Sequence, residues 1–275
     1  MANHLITLIF WLIGSTSYAQ SYSECIQLGD NNLTSKNYQE AIRLYSKSIS
    51  IDSSQSEAYL RLGQAYLYSE KDKEAIENFD KAIKLNPTDP NIYFLRAQSL
   101  GFLNDKYGAL ADYAKAIELD TNYVEAYVSR AYVFLSLGIL DGAFVFFTKA
   151  IKKDPNQRPD VYFSRGYCYQ NSKAYSQALD DYSQAIRLKP NYADAYLNSG
   201  NCQVELNNSD TALKFYEKAL AINPNDWKIF SGMGHAYFYK NEIDKACESW
   251  KKSLELRSPI AQEYIDKNCA KNSAK

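Results

Sequence analysis

The chain has 275 residues, 46% of them hydrophobic, and its 31 Lys and Arg against 32 Asp and Glu leave a formal net charge of −1. So balanced a charge offers no field for a polyanion, and no basic run supplies a local patch, which counts against nucleic-acid binding. With two histidines and no Cys-x-x-Cys spacing, neither a His-based triad nor a multi-His metal site is expected. No catalytic residue, metal or cofactor is therefore assigned, and the chain is read as a non-enzyme.

In chain order, Leu5 to Ile13 is a nearly unbroken apolar run, followed by small residues ending in Ser17 and Ala19 before polar Gln20. This is the shape of a secretory signal, and the run is short for a bilayer span. Residues 1–19 are expected to be a cleavable signal, the mature chain to begin at Gln20, and the protein to be periplasmic or secreted. Because no Lys or Arg precedes Leu5, an uncleaved N-terminal membrane anchor and then a cytosolic protein stand as alternatives.

From residue 22 a single pattern returns about every 34 residues, shifted once by one extra residue before Pro159. Gly29, Gly63, Ala97, Ala131, Gly166, Gly200 and Gly234 are each followed twelve residues later by Ala41, Ala75, Ala109, Ala143, Ala178, Ala212 or Ala246. Four residues further on stands an aromatic: Tyr45, Phe79, Tyr113, Phe147, Tyr182, Tyr216 and Trp250. Apolar residues three, four and seven apart share one face of a helix, and each period carries two such faces separated by a polar turn. Each period is thus a helical hairpin whose small residues admit close approach. Pro87, Pro155, Pro190 and Pro224 stand where a second helix must stop. Hairpins are expected near 22–55, 56–89, 90–123, 124–157, 159–192, 193–226 and 227–260. A capping helix follows at about 259–268, with a disordered tail at 271–275.

The Tyr59, Leu62, Gly63, Tyr66, Ala75, Phe79, Ala82 and Pro87 set, and its recurrences, resemble the tetratricopeptide repeat (TPR). The resemblance covers residues 22 to about 260. It implies an all-α fold, a right-handed α-solenoid of about seven hairpins forming one array from residue 20 to 270. It also implies a concave surface, lined by the first helices, that takes a protein or peptide ligand. Carrying the family's lining positions over marks an acidic edge at Glu57, Glu125, Asp160 and Asp194, and polar or aromatic positions at Gln64, Gln98, Tyr132, Tyr167 and Asn201. An apolar row runs through Ile26, Leu60, Phe94, Val128, Phe163 and Leu197, and Tyr68 and Phe102 share the face. This pattern lacks the Lys and Asn clamp by which some members of the family hold a C-terminal carboxylate. It fits a segment with apolar anchors and basic or neutral flanks. An alternative reading is a small solute or glycan in the aromatic groove.

Of five cysteines, Cys25, Cys168 and Cys202 sit within repeats and are expected to pack as small hydrophobes. Cys247 and Cys269 would meet if the capping helix folds back over the last hairpin. A bridge pinning the cap and two unrelated thiols are both open at this point.

Overall fold

The computed structural model describes residues 21–155 and 158–269; the expected signal and tail lie outside the described residues. Among the described residues all regular structure is helical. The order is α1 (21–34), α2 (Tyr38–Ile51), α3 (Ser56–Tyr68), α4 (Asp72–Leu85), α5 (Pro90–Phe102), α6 (Lys106–Leu119), α7 (Val124–Ser136) and α8 (Leu140–Lys153). There follow α9 (Pro159–Asn171), α10 (Tyr175–Leu188), α11 (Ala193–Glu205), α12 (Ser209–Ile222), α13 (Trp227–Tyr239), α14 (Ile243–Glu255) and α15 (Ala261–Asn268). The fold is all-α and of the α-solenoid class, built from antiparallel hairpins. By its internal contacts the chain divides within α7 into an N-terminal unit, residues 1–133, and a C-terminal unit, residues 134–275.

In the N-terminal unit α3 packs on α4 and α5 on α6, with α2 and α4 meeting the first helix of the next hairpin. The C-terminal unit repeats the arrangement with α9 on α10, α11 on α12 and α13 on α14, and α15 lies against α14. The recurring aromatics are the centres of these contacts: Tyr45, Phe79, Phe147 and Tyr182 are fully buried, and Tyr216 and Trp250 are 1% exposed. A Cβ at Gly200 would lie 2.4 Å from the Tyr216 ring, and one at Gly232 in the next hairpin would lie 2.7 Å from the same ring. Glycine at both positions therefore seats one ring between successive first helices. Second helices end where the prolines require it, at Leu85, Lys153, Leu188 and Ile222, each two residues before a proline.

The turn inside each hairpin is also periodic, although its sequence is not. Lys36, Glu70, Asn104, Gly138, Lys173, Asn207 and Asn241 all have φ between 60° and 73°. At the end of α1, Lys36 N–H donates to Leu33 O and Asn37 N–H to Asn32 O, and the same two-bond pattern recurs at the later turns. This left-handed C-terminal cap satisfies helix carbonyls and favours Gly or Asn, so Lys36 carries backbone strain at an exposed site. Lys36→Gly is expected to raise the stability of the N-terminal unit by about 0.5–1 kcal/mol, and Gly138→Ala to lower that of the C-terminal unit by about 1 kcal/mol. The Cβ introduced at Gly138 would meet nothing within 4 Å, so the cost there is that of the backbone alone. Chemical denaturation of the two variants checks both signs, and a loss of stability in Lys36→Gly would contradict the strain argument.

Candidate functional site

In the C-terminal unit the first helices α9, α11 and α13 line two adjoining clefts of about 520 and 570 Å³ that share Tyr167, Asn201, Gly232 and His235. The first extends over Gln170, Asn171, Lys173, Tyr175, Glu205 and Tyr239; the second over Phe163, Asp194, Leu197, Asn198, Trp227 and Lys228. Spacing of three, four and seven along each helix brings these side chains to one face.

Buried hydroxyls orient the amides of this surface. Tyr182 Oη donates to Gln170 Oε1 at 2.6 Å and Tyr216 Oη to Asn201 Oδ1 at 2.8 Å. Burial holds both hydroxyls well above the ordinary tyrosine range, so they remain donors. With their carbonyls occupied, Gln170 and Asn201 have NH2 groups to offer to the carbonyls of a ligand. Tyr167, 41% exposed, adds an amphipathic ring.

His235 stands where the clefts meet the cap. Its Nδ1–H donates to Ser231 O at 2.8 Å, which leaves Nε2 as an acceptor in the neutral ring. Its ring lies 4.5 Å from Tyr264 of α15 and 5.7 Å from Trp250 of α14, both edge-on. Burial pushes the imidazole below its ordinary value of 6.5, opposed by the Ser231 carbonyl and Glu205. As pH falls the unfolded chain takes up the proton first. The contribution of His235 to stability is thus complete above about pH 6.5 and is lost as pH drops through the lower folded-state value. Thermal unfolding between about pH 7.5 and 5 is expected to fall more steeply in the parent than in His235→Gln; parallel curves would remove His235 from this role.

The N-terminal unit has its own cleft of about 660 Å³, lined by Leu67, Tyr68, Glu70 and Asp72 together with Gln98 and Phe102. Tyr68 is 49% and Phe102 73% exposed.

The residues marked from sequence thus fall into four groups. Tyr68, Gln98 and Phe102 come together in the N-terminal cleft, and Phe163, Tyr167, Asp194 and Asn201 in the C-terminal clefts. Glu57, Glu125 and Asp160 lie on first turns, Glu57 3.7 Å from Arg61 and Asp160 3.4 Å from Arg158, while Gln64 and Tyr132 are half-buried. Phe94 is committed to packing, with Tyr123 at 4.9 Å and Tyr113 at 5.7 Å. Half of the apolar row is buried outright: Ile26, Val128 and Leu197 are at most 8% exposed, Ile26 in a cluster with Ala58 and Leu62 of the next hairpin and Leu197 in one with Ile229. Tyr175, Gln170 and Glu205 were not marked from sequence; Tyr175 opens a second helix, which a search confined to first helices misses.

Among the described residues no group of His, Cys, Asp and Glu is placed to hold a metal ion, and no helix is long and apolar enough to cross a membrane. Cys247 and Cys269 are bonded, joining α14 to the end of α15, while Cys25, Cys168 and Cys202 are buried free thiols.

The fold and its first-helix clefts define a helical-hairpin repeat protein with ligand-sized concavities. Tetratricopeptide repeat patterns match residues 25–55, 56–89, 94–158, 159–192 and 193–226. The chain belongs to the tetratricopeptide repeat family. No curated protein matches it. Among solved structures it is similar to YrrB, described as a TPR protein with an unusual peptide-binding site, at 26% identity and a TM-score of 0.63 over 70% of this chain and 99% of that one. MamA is 27% identical with a TM-score of 0.56 over 60% of this chain and 96% of its own. The C-terminal part of a TPR protein from Cytophaga hutchinsonii, 20% identical, shares the fold with a TM-score of 0.71 over 86% of this chain and 98% of its own. Proteins of this family are protein–protein interaction scaffolds, and the chain is one by class.

Proposed function

We propose that this chain is an exported, non-enzymatic adaptor that binds a protein or peptide segment along its first helices, with the principal contact in the paired clefts of α9, α11 and α13. The observation that carries the reading is the shared wall of those clefts, where Tyr167 and the Tyr216-oriented amide of Asn201 stand beside His235. An amide with its carbonyl occupied and an aromatic ring suit the carbonyls and side chains of a peptide. The peptide-binding site described for YrrB supports the same use of the fold. Export is supported by the Leu5–Ile13 run and by a disulfide that an oxidising compartment would keep.

Affinity capture from the envelope or secreted fraction of the source, comparing residues 20–275 with Tyr167→Arg, tests the site. The captured protein is identified and its binding segment remade as a synthetic peptide. The parent is expected to bind that peptide at least about tenfold more tightly than the variant. Equal binding would move the site elsewhere. Capture of nothing, with saturable binding of a small solute or glycan, would replace the peptide reading. N-terminal sequencing of native material is expected to begin at Gln20, and a chain that retains Met1 would refute cleavage.

A further inference from the structure

We propose that the cleft between α3, α4 and α5 of the N-terminal unit is a pocket for the cationic side chain, arginine above all, of a peptide partner. Two rings on the walls of this cleft, Phe102 at 73% and Tyr68 at 49%, are more exposed than the ring of Phe94. Two carboxylates, Glu70 and Asp72, line the same cleft. The Oδ1 atom of Asp72 is buried with no hydrogen-bond partner, although a buried carboxylate oxygen ordinarily has one. Burial, followed by the neighbouring Glu70 and Glu74 charges, raises the Asp72 carboxyl.

A planar guanidinium answers all of these features together. It stacks on an aromatic face, its N–H groups donate to the solvent-facing parts of the Glu70 and Asp72 carboxylates, and its aliphatic stem covers the ring edges. An apolar side chain would leave Asp72 unpaired, and an anion would be repelled. The Gln98 amide, at the same wall, is free to hydrogen-bond the backbone beside the cation. The site rests on the reading of the chain as a peptide binder. It shares no residue with the C-terminal clefts, so Tyr167→Arg answers for that reading and Asp72→Asn for this one.

The test uses the mature chain and acetyl-Ala-Leu-Arg-Leu-Ala-amide, with ring resonances of Tyr68 and Phe102 followed by NMR. The arginine peptide is expected to shift both rings saturably. The same peptide with citrulline, which keeps the shape and loses the charge, is expected to bind about tenfold more weakly. Asp72→Asn and Phe102→Ala are each expected to weaken the arginine peptide about fivefold or more while leaving the citrulline peptide little changed. Phe102 is exposed and Asp72→Asn is isosteric, so both variants should keep the parent's circular dichroism. Equal binding of the arginine and citrulline peptides would reduce the cleft to an apolar groove and overturn the proposal. So would unshifted rings, or full binding in Asp72→Asn.

Discussion

Asp181→Ala is expected to destabilise the C-terminal unit by about 3 kcal/mol or more, among the largest effects of any single polar substitution in the chain. Asp181 is nearly buried on α10, and its two oxygens accept from Arg165 Nε at 2.7 Å and Nη2 at 2.6 Å. The Arg165 side chain is 16% exposed, and its guanidinium lies over the rings of Tyr162 and Tyr169. Removing the carboxylate leaves a buried cation without its counter-charge, which costs far more than an intact pair contributes. The N-terminal unit holds a built-in control. Arg96 makes the same fork to Asp112, at 2.7 Å through both nitrogens, but also reaches Asp80 at 2.5 Å. Asp112→Ala therefore leaves its arginine a partner and is expected to cost about half as much. Denaturant unfolding of the two variants measures the difference, and equal losses would show that the second carboxylate counts for nothing.

Cys247→Ser together with Cys269→Ser, or reduction of the bond, is expected to cost about 3 kcal/mol, the chain-entropy value for residues 22 apart. The loss should be local. The bond ties the short α15 to α14, and what α15 brings is Tyr264, stacked on Trp250 at 5.5 Å and edge-on to His235 at 4.5 Å. Without the bond an eight-residue helix has little to hold it. Trp250, 1% exposed, would then meet water, and the His235 wall of the clefts would lose its outer support. Tryptophan fluorescence should redden at lower denaturant in the double variant than in the parent. Superimposable transitions would mean that the cap is held by its side chains alone.

Much of the architecture was legible because packing imposes a period. Ala75, Phe79 and Ala82, and their counterparts, are buried in hairpin after hairpin, and one residue type at one spacing repeats wherever the same gap must be filled. Pro87 and its equivalents likewise announce a helix end from local stereochemistry alone. The left-handed turns were not legible, although they are as periodic as the aromatics. Lys, Glu, Asn and Gly alternate there because a solvent-exposed turn tolerates about 1 kcal/mol of strain, so no residue type is enforced. The candidate site was half legible. Family positions marked Tyr167 and Asn201, which line the clefts, yet the same rule marked Phe94, and Phe94 packs against Tyr113 and Tyr123.

What the sequence determined by itself is the hairpin and its spacing, since helix periodicity, small residues at close approaches and proline stops are properties of a local stretch. Three matters were left to the tertiary structure. One is which aromatics of the exposed face are consumed by the next hairpin, as Phe94 is, and which remain in solvent, as Phe102 does. Another is which amide is turned by a tyrosine hydroxyl twelve or fifteen residues away. The last is that Cys247 and Cys269 meet. Each depends on how a helix settles against a neighbour distant in sequence, and a shift of one ring is enough to bury a side chain or leave it free for a ligand.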